Sequence, residues 1–230
     1  MPRRSEPFVI NQVYHVFNKT VDNRSLFHDS RLCQVFIKIL KYYRSSLATI
    51  SFSKLRELDS SRLDHVTRTT SRKGSFRVVV LAYCLMPNHF HLLVKQQSPQ
   101  GIPDYLSHCL NSFTKYFNLN HERQGPLFLP KFKSVSIHAD DQLMHVSRYL
   151  HLNPYTSELI KNKANLSRYP WSSFFEYCQN PHGRLSDDTL VLSMFGHKRS
   201  KYHDFVLSNA DYQRTLEEAK HAEKWLLKKR

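Results

Sequence analysis

Two histidines one residue apart, His89 and His91, stand inside the stretch Leu85-Met86-Pro87-Asn88-His89-Phe90-His91-Leu92-Leu93-Val94. A β-branched and apolar run, Phe76 to Leu85, precedes them, and Pro87-Asn88 breaks the pattern. The reading is strand, tight turn, strand. Residues i and i+2 of a strand share a face, so His89 and His91 point one way and Phe90 and Leu92 the other. Two adjacent imidazoles form half of a divalent-metal site. With 14 histidines in 230 residues, roughly one such pair arises by chance. Two polar residues on a sheet face are therefore the competing reading until other residues join them.

The second candidate chemistry is nucleophilic, and two tyrosines compete for it. Gly101 to Asn120 carries Ile102, Tyr105, Leu106, Cys109, Leu110, Phe113, Tyr116 and Phe117 at helical spacing. Tyr116 thus lies on the apolar stripe of its helix, where core packing explains it. A later helix opens at Asp140 or Asp141 and is expected to end near Asn153-Pro154, because the residue before proline is driven out of α geometry. Its stripe is Leu143, Val146 and Leu150, while Tyr149 falls on another face with His145 and Leu152.

Other elements must hold these groups in place. Phe8 to Lys19 alternates as a first strand, with Val13, His15 and Phe17 on one face and Tyr14, Val16 and Asn18 on the other. Asp29 or Ser30 caps a helix to about Arg44. Residues 54–75 are rich in Ser, Thr and Arg and read as an inserted basic loop, solvated and partly disordered. Phe132 to Ile137 is a further strand. Tyr169 to Ser173 turns into a short aromatic helix, Ser186 caps a helix to about Phe195, Lys201 to Leu207 is a small element, and Asp211 to Arg230 is helix-compatible. The order strand, helix, strand, strand, helix, strand, helix predicts an α+β fold, a ferredoxin-like antiparallel sheet packed with helices, followed by a C-terminal helical extension. The domain reading is 1–178 for the main body, with the basic insertion at about 54–75, and 179–230 for the extension.

Charge narrows the partner. Lys and Arg number 34 against 19 Asp and Glu, a formal +15 with a sequence pI near 9.8, which calls for a polyanion such as nucleic acid. No apolar run approaches the roughly 20 residues of a membrane span, and no signal peptide is visible. Cys33, Cys84, Cys109 and Cys178 form no C-x-x-C pair and suit free thiols in a reducing cytoplasm. A cytoplasmic protein associated with the bacterial nucleoid is expected.

Several separated stretches carry one resemblance. Ala82 to Val94 resembles the HUH signature of single-tyrosine transposases. Arg148-Tyr149-Leu150-His151-Leu152-Asn153-Pro154 resembles the segment that carries their nucleophilic tyrosine. Tyr14 to Lys19, Phe117-Asn118, Gly125 to Phe128 with Phe132-Lys133, and Trp171-Ser172-Ser173 look like the subgroup of REP-associated tyrosine transposases. The likeness covers residues 8–178 and, more loosely, continues to about 207. Lys19-Thr20 stands where the family usually has Arg-Gly, and Leu129-Pro130-Lys131 where it has a Gln-Gly-Arg-like turn. Charge is kept at both places, and target sequence is where a difference is expected.

The resemblance implies a divalent ion, Mg²⁺ or Mn²⁺, held by His89 and His91 with the amide oxygen of Asn153 as third ligand. It implies Tyr149 as nucleophile, a phenol whose ordinary pKa of about 10 requires help in losing its proton. Lys19, Lys131, Lys133 and Arg148 are the candidate DNA contacts. The partner would be single-stranded, hairpin-forming DNA, and a monomer is favoured over a homodimer. Three function classes stand side by side. One is a nicking and joining enzyme that passes through a 5′-phosphotyrosine. Another is a non-catalytic hairpin-DNA-binding regulator derived from a transposase. The third is a His-x-His hydrolase, which would want carboxylates that Lys95-Gln96-Gln97 does not offer.

Overall fold

The computed structural model describes residues 7–216. Four strands, β1 (Val13–Lys19), β2 (Val78–Met86), β3 (His89–Gln96) and β4 (Lys133–Ile137), form one sheet in the order β2-β3-β1-β4, with every pair antiparallel. That is the ferredoxin-like order expected from the element sequence. The expected Gly101–Asn120 helix is present as α3, and α1 spans Ser30–Tyr43 with Asp29 accepting the Arg31 backbone N–H as its cap. No helix among the described residues is long and apolar enough to cross a membrane. All four cysteines are free thiols.

The sheet is covered on both faces. Tyr14, Val16, Phe90, Leu92 and Val94 pack against α1 and α3 in one core. Val13, Ala82 and Leu93 face the other way, into a second core with Leu143, Leu150, Phe174, Tyr202 and Val206. This second layer is built from α4 (Asp140–Thr156), α5 (Ser173–Gln179), α6 (Thr189–Ser193) and α7 (Arg199–Leu207). A register shift between Val80 and Ala82 lets both Leu81 and Ala82 join this core, as a bulge inserts one extra residue. Beyond β2, the Leu85 N–H donates to the Trp171 carbonyl, Cys84 bridges Ser172, and the Tyr169 hydroxyl donates to the Leu85 carbonyl. The 169–173 segment thereby covers what would be a bare sheet edge.

Four local readings change. Residues 54–75 are not a loop: a 3₁₀ turn (Phe52–Glu57) leads into α2 (Ser60–Thr70), where Asp59 accepts the Arg62 N–H as a cap and Leu55 and Val66 rest on the first core. Two apolar anchors and a cap suffice for a short helix that has a surface to lie on. The helix α4 runs through Pro154 to Thr156, because proline costs one backbone bond and the flanking side chains, Leu152 to Tyr155, are buried. Strand β1 starts only at Val13, after a left-handed Asn11 (φ 65°). Ser186 caps no helix. Its N–H and hydroxyl both donate to the buried Glu176 carboxylate. The last helix-compatible stretch is helical from residue 210 to residue 216, and its remainder lies outside the described residues.

A polar cluster locks α4 onto its neighbours. His151, fully buried, is 2.7 Å from Ser173 Oγ through Nε2 and 2.7 Å from the Tyr202 hydroxyl through Nδ1. The same hydroxyl donates to Ser147 Oγ at 3.1 Å. Replacing Tyr202 by phenylalanine keeps the ring packing and leaves His151 and Ser147 short of a partner. The expected loss is about 1–3 kcal/mol of unfolding free energy, read as a lower denaturant midpoint with an unchanged m-value.

Candidate active site

The face of the sheet that meets α4 carries an aromatic and imidazole cluster. Antiparallel register sets Phe17 opposite His91 and Lys19 opposite His89, with His15 one step further along β1. His89 and His91 therefore do share a face, and the His15 and Phe17 side chains stand beside them. The His15 and His91 rings stack at 5.1 Å, His89 meets His91 edge-on at 5.0 Å, and Phe17 lies 5.6 Å from His91. From α4, the Tyr149 ring stands edge-on to both, 5.8 Å from His91 and 6.2 Å from His15. Tyr149 is 38% exposed, so it sits at the mouth of the cluster with solvent on one side.

Hydrogen bonds decide which nitrogens face outward. His89 Nδ1 is 2.7 Å from Asn88 Oδ1. A carboxamide oxygen only accepts, so Nδ1 carries the proton and Nε2 keeps a lone pair. His15 Nε2 lies 2.9 Å from His91 Nδ1. When His91 donates there, its Nε2 also keeps a lone pair. The turn that presents His89 is pinned from the end of β1 and from the segment after it. The Thr20 N–H and hydroxyl both donate to the Asn88 carbonyl, and the Phe27 N–H donates to the Pro87 carbonyl.

The imidazoles are held neutral. Burial pushes His15 down to about 4. Burial, helped by the Lys19 charge, brings His89 to about 4 as well. His91 lies well below the ordinary range, through burial first and then through His15, His89 and Lys19. Neutral imidazole is the form that ligates a metal. Among the described residues no group of three or more His, Cys, Asp and Glu is arranged to hold a metal ion; for an ion held by His89 and His91, the third protein ligand would be of another type. Asn153 is 6% exposed, and its Nδ2 is buried with no hydrogen-bond partner. Turning the carboxamide over puts an oxygen acceptor at that unpartnered position, and a carboxamide oxygen is a donor of the kind a hard divalent cation takes.

The remaining sequence-predicted residues separate into two groups. Lys19 is exposed at the end of β1 beside His89, and Lys131 and Lys133 are exposed at and before the start of β4, with Lys133 opposite Phe17 on the same sheet face. Arg148 is engaged differently. Its Nη2 is 2.8 Å from His145 Nδ1, and its guanidinium lies 4.4 Å over the Phe205 ring of α7. Tyr116 is distant in kind: half-buried on α3, it packs against the opposite core. His15 is the residue that the motif reading missed. Strand alternation placed it with Val13 and Phe17, but only the β1–β3 pairing brings it to His91.

No protein-family model matches this sequence, and no curated protein does. Solved structures do. One is a REP-associated tyrosine transposase bound to a REP hairpin, with a TM-score of 0.53 and 14% identity over 82% of this chain and 94% of that one. At that identity the likeness is one of fold. A candidate transposase from Deinococcus radiodurans R1 (TM-score 0.35, 14% identity, 64% of this chain and 95% of that one) is looser. So is a bacterial tRNA(His) guanylyltransferase-like protein in complex with ATP (TM-score 0.36, 8% identity, 72% and 71%). Similarity at that level supports no statement about function.

The depressed imidazoles make stability depend on acid. In the unfolded chain a histidine titrates near 6.5, and in the folded chain His15 titrates near 4. Between those values the unfolded state binds more protons, so unfolding free energy falls as pH drops from about 6.5 to 4 and levels below. His15 alone accounts for about 3 kcal/mol of that loss. Ring NMR is expected to show His15, His89 and His91 neutral at pH 5.5, and urea titrations to show a midpoint falling through this window. A midpoint flat from pH 6.5 to 4 would contradict the assignment.

Proposed function

We propose that this protein is a single-strand DNA nicking and joining enzyme of the single-tyrosine HUH transposase type, acting on hairpin-forming DNA. The observation that carries this reading is the cluster itself: an accessible phenol, Tyr149, edge-on to two buried, neutral imidazoles, with exposed Lys19 opposite His89 and Lys133 opposite Phe17 on the same sheet face, and a buried carboxamide, Asn153, four residues along the helix from that phenol. The fold it shares with a transposase structure determined on a REP hairpin supports the choice of substrate class.

In this reading His89, His91 and Asn153 hold Mg²⁺ or Mn²⁺, which supplies Lewis-acid polarisation of the scissile phosphate. Lys19, Lys131 and Lys133 neutralise flanking phosphates and hold the strand against the sheet face. Tyr149 Oη attacks the phosphorus. The new O–P bond forms as the bond from phosphorus to the 3′ oxygen breaks, the phenolic proton leaves, and the 3′ oxygen takes one up. The products are a 5′-phosphotyrosine and a free 3′ hydroxyl. A 3′ hydroxyl attacking that linkage reverses the exchange, and no nucleotide hydrolysis is needed because one phosphoester replaces another. His15 fixes the His91 ring from behind and lines the wall that the Tyr149 ring meets.

The deciding experiment is covalent capture. Incubating the protein with a hairpin oligonucleotide labelled downstream of the nick is expected to give a denaturation-resistant band whose adduct maps to Tyr149. Tyr149→Phe, which removes one oxygen from a half-exposed ring, should abolish the band while thermal stability stays within about 0.5 kcal/mol. A gel shift with no adduct would make the protein a hairpin-binding regulator instead, and an adduct on Tyr116 would refute the site.

The metal has a separate readout. Mn²⁺ titrated by calorimetry or by its electron paramagnetic resonance signal is expected to bind the wild type. His89→Ala and His91→Ala should each weaken it by at least ten-fold and abolish nicking while hairpin binding persists. Undiminished nicking in excess chelator would eliminate the cation from the mechanism.

A further inference from the structure

The inserted segment and α3 enclose a second concave site, on the side of the sheet away from the histidines. Its cavity of about 390 Å³ lies between the 51–56 segment, α1 and α3. The walls are flat rings. Tyr43 and His108 stack at 5.3 Å, the Arg56 guanidinium lies 5.0 Å over the Tyr116 ring, and Phe52 closes the insertion side. Arg56, His108 and Lys115 are exposed at its edge, and no Asp or Glu lines it. A flat aromatic slot with cationic edges and no carboxylate is complementary to a base and its phosphates, and repels a cation.

The slot also continues toward the candidate active site. Asn111 of α3 lines both this cavity and a groove of about 320 Å³ against the 126–132 segment. Within that segment Leu129 donates its N–H to the Lys19 carbonyl at 2.9 Å and accepts from Asn18 Nδ2 at 3.0 Å. A path along the exposed face of α3 therefore leads from Arg56 to the end of β1, where Lys19 stands beside His89.

We propose that the slot formed by Tyr43, Phe52, Arg56, His108, Lys115 and Tyr116 binds an unpaired base of single-stranded DNA, with Arg56 and Lys115 on the flanking phosphates. It is a second contact site, remote from the nick, and it gives Arg56, at the start of the 54–75 insertion, a binding role. The occupant rests on the strand substrate proposed above. The slot's chemistry suits any nucleobase with a phosphate, so a free nucleotide is the alternative source.

The test uses the full chain carrying Tyr149→Phe, so that covalent capture plays no part. Single-stranded oligonucleotides containing 5-iodo-2′-deoxyuridine are irradiated on the protein, and the adducts are mapped. Crosslinks are expected on peptides containing Phe52 or Tyr116. Arg56→Glu combined with Lys115→Glu changes two exposed side chains, and circular dichroism checks its fold. This double variant should bind the oligonucleotide at least ten-fold more weakly. The slope of log affinity against log salt should shrink by about 1.4, because each single-strand phosphate contact contributes about 0.7. Adducts confined to the sheet face around Phe17, or unchanged affinity and salt slope in the double variant, overturn the proposal. So does displacement of the crosslink by equimolar dTMP, which would make the occupant a free nucleotide. Loss of the phosphotyrosine band from otherwise wild-type protein refutes the nicking reaction and leaves this site standing, so the two failures are distinguishable.

Discussion

Three imidazoles share the centre of the sheet, and the arrangement requires that they stay uncharged. Two protonated rings at the 5.1 Å separation of His15 and His91 would repel by about 3 kcal/mol at an effective dielectric near 20. Desolvation adds to that, and Lys19 beside His89 adds again. The neutral state is kept by what covers the rings: α4 from above, Phe17 from the side and the sheet from below. It also fixes the chemistry. A neutral pair sharing one proton, His15 Nε2 and His91 Nδ1, is directional. It orients the His91 ring as a carboxylate or carbonyl partner orients a metal-binding histidine elsewhere, without placing a negative charge in the cluster.

The covering layer is therefore part of the site. Helix α4 brings Tyr149 and Asn153 on one element, four residues apart, so both can look toward the sheet. Its outer side would be solvated in a four-strand, two-helix fold. Here α5 and α7 bury it. Ser147 and His151 bond to Tyr202, and Phe205 takes the Arg148 guanidinium. This explains why α4 survives Pro154. A helix that loses one backbone bond is held by side chains buried on several faces, among them Leu150, Leu152 and Tyr155. It also engages Arg148 on α7 and leaves Lys19 and Lys133 as exposed cations on the sheet beside the cluster.

Local rules recovered the strands, the two long helices and the facing of His89 with His91, because each depends on residues a few positions apart. What they could not reach was pairing. Val13, His15 and Phe17 were legible as one face of a strand, but their meeting with His91 depends on β1 lying between β3 and β4. That is a long-range fact with no local signature. Residues 54–75 misled for the opposite reason. Their polar composition mimics a loop, and the helix there rests on one cap, Asp59, and on Leu55 and Val66, which find apolar partners only in the folded chain. Ser186 showed the same ambiguity. A serine before an apolar run can cap a helix, but a buried carboxylate at Glu176 competes for its N–H and hydroxyl and takes both.

The distribution of charge follows one logic across the molecule. Exposed cations stand at the rims of both concave sites, Lys19 and Lys133 on the sheet face and Arg56 and Lys115 beyond α3, while the buried imidazoles of the first are neutral. Of the buried carboxylates, Glu176 accepts from Tyr83, Leu185 and Ser186, and Asp188 pairs with Arg184 and Arg199. They stabilise the fold through buried pairing. A phosphate arriving at the cluster thus meets long-range attraction from the rim and no fixed anion in the centre. In the proposed reading, the charge that neutralises it there comes from a cation, bound only when the imidazoles are unprotonated, so the burial that costs acid stability is the same burial that makes the site competent.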